Sequence, residues 1–513
     1  QYSLSISFIC PTVTVSPANA TLPVGTIGAL YSQTYTQTGG TGTIIWSNPS
    51  GGLPGGLILN ASTGEMSGSP TTVGNFTFTI RATDVNSCSG ERQYSLTVRG
   101  NGLMFYPLPA PVRLLETRSN PPNLTGCNKP NMPIAQGGTF TLPAKIPCAG
   151  IPANAAAVTG NITVVPSGAG YLTLFPSDAT QPTVANSNFA TGEITNNVFT
   201  VGLGAGDGAF KIFSSATTEV IIDVTGYYAP PGAGGLYFHP LSSPVRLLET
   251  RPGQNGCIVL STQLNPNADP NLDLSVQGRF PLPSPCNSIP ASAQVLVGNA
   301  TSVLPSGGGH LTIYPSGGTR PTVASSNYAG SDVINGPFAV KLGADGNFKI
   351  YTFATTDLVV DILGYYSEDV VDSNGPGLLF NPLPSPVRLL ETRPDFPGFP
   401  LSGCTRTNAK IQGNLVTATH TQQAAGFCNL PAEAQAVVGN VSVVNSAGAG
   451  FLTLFPGNLL NAPLVATSNY PAPATFGYNR HYFVGLSPTD GTFKILTQFT
   501  TDLILDASGY FAP

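Results

Sequence analysis

Pro-Val-Arg-Leu-Leu-Glu-Thr-Arg stands at residues 111–118, again at 244–251 and again at 386–393. Each copy opens a segment that closes on Gly-Tyr followed by Tyr or Phe, at Gly226-Tyr227-Tyr228, Gly364-Tyr365-Tyr366 and Gly509-Tyr510-Phe511. Arg246 follows Arg113 by 133 residues, and Arg388 follows Arg246 by 142. Solenoid and propeller repeats run to roughly 20–50 residues, so this period belongs to whole domains in series. Inside the period, blocks recur in register: Gly160-Asn161, Gly298-Asn299 and Gly439-Asn440, then Phe210-Lys211-Ile212, Phe348-Lys349-Ile350 and Phe493-Lys494-Ile495. These runs are short, apolar and separated by Gly and Pro, with no helical period, which predicts sandwiches of β-strands.

Composition agrees with an all-β chain built for an oxidising compartment. The 513 residues hold 59 Gly and 48 Pro, and only 9% are charged, against about 25% in an ordinary soluble domain. A net charge of −5 without a basic run argues against a nucleic-acid partner, because phosphate binding needs clustered Lys and Arg. No apolar stretch approaches the ~20 residues of a membrane span. The sequence starts at once on strand-like residues, which reads as a mature or trimmed chain. Eight cysteines pair off by position: Cys127 with Cys148, Cys257 with Cys286, Cys404 with Cys428, and Cys10 with Cys88 across the first segment. One pair per unit predicts local disulfides; zinc-type CxxC spacing is absent.

Residues 11–101 carry Pro-Val-Gly-Thr at 23–26, Gly-Leu-Ile-Leu-Asn-Ala-Ser-Thr-Gly at 56–64, Gly-Ser-Pro at 68–70 and Phe-Thr-Ile-Arg-Ala-Thr-Asp at 78–84. This segment resembles the Ig-like domains repeated in tandem in bacterial surface proteins. The resemblance implies a sandwich whose first strand runs parallel to its last, which would bring Cys10 to Cys88. The three later segments look like the Arg-Leu-Leu-(Asp/Glu)-Thr-Arg repeat modules of secreted bacterial proteins, a likeness that implies location more than activity. The expected fold is therefore all-β, tandem β-sandwiches: an Ig-like domain plus three homologous jelly-roll-like or Ig-like repeats. The expected boundaries are an orphan strand at 1–10, the Ig-like domain at 11–101, and repeats at 102–230, 234–366 and 377–513. Short linkers at 230–235 and 367–377 suggest a linear arrangement spanning roughly 150 Å.

Residues 1–8, Gln-Tyr-Ser-Leu-Ser-Ile-Ser-Phe, echo Gln93-Tyr94-Ser95-Leu96-Thr97-Val98. Tyr2, Leu4, Ile6 and Phe8 alternate with polar residues, as on a strand with one apolar face. The segment is either a scar of a preceding domain or an assembly strand donated to the sheet edge of a neighbouring molecule.

Charge is scarce, so charge in register is informative. Arg113, Glu116, Arg118, Lys211, Glu219 and Asp223 recur in all three repeats and make eighteen of the forty-five charged residues. Glu219 and Asp223, four apart on a strand, would lie about 13 Å apart, too far for the roughly 5–9.5 Å of a glycosidase pair. An arginine fork closing on a carboxylate is the better reading. It predicts structural ties from Arg113 to Asp223, Arg246 to Asp361 and Arg388 to Asp506, with the second arginine of each copy as the alternative donor. His239, His310, His420 and His481 are out of register with one another, which argues against a repeated metal or catalytic site. Gly-Ala-Gly-Asp-Gly at 204–208 invites a calcium reading but lacks the alternating carboxylates of an EF-hand loop and fits a hairpin turn. Asn123-Leu124-Thr125 is a glycosylation sequon. No cofactor, metal or catalytic residue is expected. The sequence reads as a non-enzymatic structural subunit of a bacterial extracellular filament, sheath or adhesive stalk, self-associating into a homopolymer. The alternative is a carbohydrate-binding or cell-surface anchoring region, with a glycan or surface ligand as partner.

Overall fold

The computed structural model describes residues 9–513 apart from 73, 120–125, 267–273, 279–287, 322, 396–400, 414–418 and 472–476. Its regular elements are almost all β-strands, with no α-helix among the described residues. It divides into two compact units, residues 1–101 with Pro513, and residues 102–512. The proposed assembly strand with Tyr2, Leu4, Ile6 and Phe8 lies outside the described residues, as does the sequon at Asn123.

The first unit is an Ig-like sandwich. Ser89–Arg99 pairs antiparallel with Gly74–Thr83, which pairs with Ile45–Ser50; Gly25–Thr26 joins the other edge, parallel to Val98 and Arg99. A three-stranded sheet of Tyr31–Thr34, Glu65–Gly68 and Leu57–Leu59 faces it. Alternate residues Tyr94, Leu96 and Val98 point inward with Phe78, Ile80, Tyr35, Met66 and the single Trp46. The disulfide Cys10–Cys88 closes the unit. Beside it, the buried Asp84 accepts backbone N–H bonds from Cys88, Asn86 and Thr41. Burial pushes the Asp84 carboxyl up, but those three donors outweigh it and hold its pKa below the ordinary value.

In the second unit each repeat is an eight-stranded sandwich. In the first repeat one sheet runs Met104–Glu116, Thr218–Ala229, Ala157–Pro166, Thr195–Gly202, and the other Thr139–Pro143, Ala209–Ser214, Gly170–Pro176, Ser187–Phe189. Counted from the start of the repeat, the order is 1-8-3-6 facing 2-7-4-5, the double Greek key of a jelly roll. The same order recurs in the second and third repeats, where a two-residue strand, Ile258–Val259 or Thr405–Arg406, runs parallel along the edge of the first strand. Each sandwich fills its own interior with Leu, Ile, Val and Phe.

The repeats are not strung out in a line; that expectation fails on burial. Val295–Val303 and Ala436–Val444 are buried at every position, so both faces of these central strands are covered. The outer covering is the neighbouring repeats. Phe105 exchanges both backbone hydrogen bonds with Leu236, Phe238 with Leu378, and Phe380 with Leu103. Repeat one thus bonds to two, two to three, and three back to one, closing a ring. A shared core fills its middle: Phe105 packs on Tyr366 at 4.5 Å between ring centroids, Phe238 on Phe511 at 4.5 Å, and Phe380 on Tyr228 at 4.3 Å. Each such fully buried side chain contributes about 1.5–3 kcal/mol. The Tyr228 and Tyr366 hydroxyls hydrogen-bond each other at 2.7 Å, and the third copy supplies Phe511, which brings no hydroxyl. The closing Gly-Tyr-(Tyr/Phe) motif is therefore the axis of the ring.

Candidate functional site: the seams between repeats

Each seam is built from the same residues. Asn196 donates to the Ser325 carbonyl at 2.9 Å and accepts from the Asn327 N–H at 2.8 Å. Asn335 does the same with Thr467 and Asn469, and Asn479 accepts from the Asn188 N–H at 2.9 Å. A buried amide that uses both ends on the neighbour's backbone fixes register as well as distance.

The recurring charges sit on the same seams. Arg113 holds Asp223 through Nε at 2.9 Å and Nη2 at 3.2 Å, Arg246 holds Asp361 at 2.9 and 3.4 Å, and Arg388 holds Asp506 at 2.8 and 3.3 Å. The donor in each copy is the first arginine. Asp361 also accepts the Ala466 N–H at 3.0 Å, and Asp506 the Ala185 N–H. Their carboxylates thus tie their own first strand and grip the next repeat. Burial pushes the Asp223, Asp361 and Asp506 carboxyls above their ordinary value, while the guanidinium pulls the other way.

The sequence gives the motif's glutamate no partner and its second arginine only the place of an alternative donor to the aspartate. Glu116, Glu249 and Glu391 are buried hubs, each contacted by both arginines of its copy. Burial pushes the Glu116 and Glu249 carboxyls up, but paired bonds from Arg118 and Arg251 bring them below their ordinary value. Arg118, Arg251 and Arg393 grip the glutamate with Nε and Nη2. Among the described residues their Nη1 meets no acceptor, and these side chains keep 27%, 33% and 21% of their exposure. The result is a rigid cation with one donor edge to spare, shown three times.

This second arginine lines a cleft at two seams. Between repeats two and three, a cleft of about 600 Å³ runs between Arg251 and Phe451. Between repeats three and one, a cleft of about 530 Å³ runs between Arg393 and Tyr171. Both volumes fall in the range of small-ligand sites, roughly 300–1,000 Å³. The Tyr171 ring lies tilted beside Phe213, 5.9 Å between centroids, and Tyr171 is 39% exposed. The corresponding residue of repeat two, His310, lies 5.6 Å from Phe353 and 5.8 Å from Tyr351, with the Arg320 guanidinium 3.8 Å above Tyr351. Each outer sheet thus carries aromatic surface beside a seam.

The remaining sequence candidates lie elsewhere. Disulfides join Cys127 to Cys148 and Cys404 to Cys428; Cys257 is disulfide-bonded, and Cys286 is outside the described residues. Asp207 accepts from Ser177 Oγ and the Ala209 N–H, so its carboxylate serves the hairpin. Among the described residues no three His, Cys, Asp or Glu side chains converge on a metal-sized site. The four histidines are scattered: His239 stacks on Tyr365, His420 is on Thr419–Gln423, and His481 is fully buried, its pKa driven down to about 3 by desolvation.

Residues 11–99 match the family model described as "Putative Ig domain". No curated protein matches the chain. Among solved structures the chain is similar to a "putative alpha-galactosidase" of Bacteroides fragilis, at 22% identity over 16% of each chain with a TM-score of 0.14. It is similar to SGBP-B of the Bacteroides ovatus mixed-linkage glucan utilization locus, in complex with a mixed-linkage heptasaccharide, at 10% identity over 97% of each chain with a TM-score of 0.13. It is also similar to Sulfolobus Turreted Icosahedral Virus, at 11% identity over 79% of this chain and 92% of that one, with a TM-score of 0.17. The chain spans only 16% of the length of the first of these. TM-scores this low carry no argument about function. Among the described residues no helix is long and apolar enough to cross a membrane.

Proposed function

We propose that the chain is a non-catalytic recognition region of an extracellular bacterial surface protein, and that the ring of residues 102–512 binds carbohydrate in its seams. The supporting observation is the pairing across each described cleft of an aromatic side chain from one repeat with a glutamate-locked arginine from the next. A sugar ring offers an apolar C–H face and a rim of hydroxyl acceptors. Aromatic surface meets the first, and a planar guanidinium with a spare N–H edge meets the second. A fixed donor loses little conformational freedom on binding, and several sites on one rigid body favour a repeating ligand by avidity. Disulfides fit an oxidising, extracellular setting.

The filament reading draws its support from the echo of an Ig strand in residues 1–8. The repeats themselves spend their mutual contact inside the chain, and a contact that closes on itself does not propagate. Negative-stain images of the purified chain separate the readings, since fibres belong to strand donation and single particles to recognition. The direct test is a glycan array probed with the whole chain, followed by calorimetry on hits with Arg251→Lys and Arg393→Lys. Lysine keeps the charge near the glutamate but removes the fork, so at least tenfold weaker binding is expected. An array without hits overturns the proposal.

A further inference from the structure

We propose that the seams have diverged in ligand, and that the seam between repeats two and three takes a saccharide carrying acyl groups, such as an N-acetylated hexosamine. This rests on the carbohydrate reading above and adds the class of sugar. The difference lies in one loop. After Pro176 the first repeat reads Ser-Asp-Ala-Thr-Gln-Pro-Thr before Val184, and after Pro315 the second reads Ser-Gly-Gly-Thr-Arg-Pro-Thr before Val323. After Pro456 the third reads Gly-Asn-Leu-Leu-Asn-Ala-Pro-Leu before Val465, one residue longer and with leucines where the others are polar.

Leu460 and Leu464 are 92% and 63% exposed, and both line the 600 Å³ cleft. In the same cleft Phe451 takes the place that Tyr171 holds in the first repeat, and Val333, itself 42% exposed, adds to the apolar lining. Large apolar side chains left in water at this seam, where the cleft between repeats three and one carries Gln181 and Thr183, mark a binding surface rather than a packing need. The cleft is not wholly apolar: Arg251, Gln254 and Asn469 line it too. That mixture excludes a bare hydrocarbon as the best ligand, since its entry would strip water from polar groups without replacing their bonds. It suits a ligand with small apolar substituents set among hydroxyls and amides. An acetamido group has this character, its methyl meeting leucine and its carbonyl accepting from the guanidinium.

The test is calorimetry of the full chain with chitohexaose and with cellohexaose, which share linkage and length and differ in the acetamido group. Chitohexaose should bind at least tenfold more tightly. The double variant Leu460→Gln, Leu464→Thr should bring the two affinities to parity. Saturation-transfer NMR should place the acetyl methyl protons among the most strongly saturated of the bound sugar. Equal affinities in the unaltered chain, or a preference that survives the double variant, overturn the inference and leave the carbohydrate reading standing. Loss of all glycan binding across an array overturns that reading instead.

Discussion

Asp361 does three things with two oxygens. It accepts two bonds from Arg246 and the N–H of Ala466 on the next repeat. Removing it strands a nearly buried guanidinium and an amide together. Asp361→Ala should therefore cost about 3–5 kcal/mol, the range for one partner lost from a buried pair, read as a fall in denaturation midpoint; a loss below 1 kcal/mol would show that the tie is idle. The glutamate hubs give the molecule an acid limit. Glu116 and Glu249 have folded pKa values below their ordinary 4.5, so their contribution is present above about pH 4.5 and is lost as pH falls through the folded value. The buried aspartates shift the other way, from an ordinary 3.8 upward, and favour folding as they take up protons. Thermal melts between pH 6 and 3 should steepen below about pH 4.5, and Glu249→Gln should flatten that limb. An unchanged slope in the variant would remove Glu249 from the account.

Among the elements, the central strands explain most. Gly160, Gly298 and Gly439 open the Gly-Asn pair that the sequence repeats, and at each a Cβ would run into the backbone carbonyl of Asp223, Asp361 or Asp506 on the paired strand. Gly298→Ala should therefore destabilise the second repeat by about 1–3 kcal/mol, as overpacking does, measured by chemical denaturation; full stability would mean the strands part freely. The sandwich class was legible because short apolar runs between Gly and Pro admit little else. The arginine–aspartate ties were legible because scarce charge recurred in register. The ring was not, although its signal was present. Val295-Leu296-Val297 and Ala436-Val437-Val438 are continuous apolar runs, and a strand with one solvated face should alternate. Tyr237-Phe238 and Leu379-Phe380, just past each linker, looked like ordinary strand starts, because nothing local tells a contact within a repeat from one between repeats. The seam clefts were hidden for the same reason, their two walls lying more than a repeat apart in sequence.

The whole second unit behaves as a trimer written into one chain. Excised, residues 234–366 would expose Phe238, Val295, Val297 and Tyr366, which the ring buries. Light scattering on that fragment should find a self-associated species, with a trimer the expected end state, since its two seam surfaces are complementary by descent. A stable monomer would show that the shared core is dispensable. Writing the trimer into one chain also sets an order of events. Asn188 must meet Asn479, 291 residues further on, before the last seam exists. Contacts so distant in sequence are slow to form, and until the third repeat has emerged the first shows its axial aromatics to whatever surrounds it. A chain still being synthesised therefore carries an unfinished, adhesive face until its last repeat is complete, and its folding yield turns on protection during that interval as much as on its final stability.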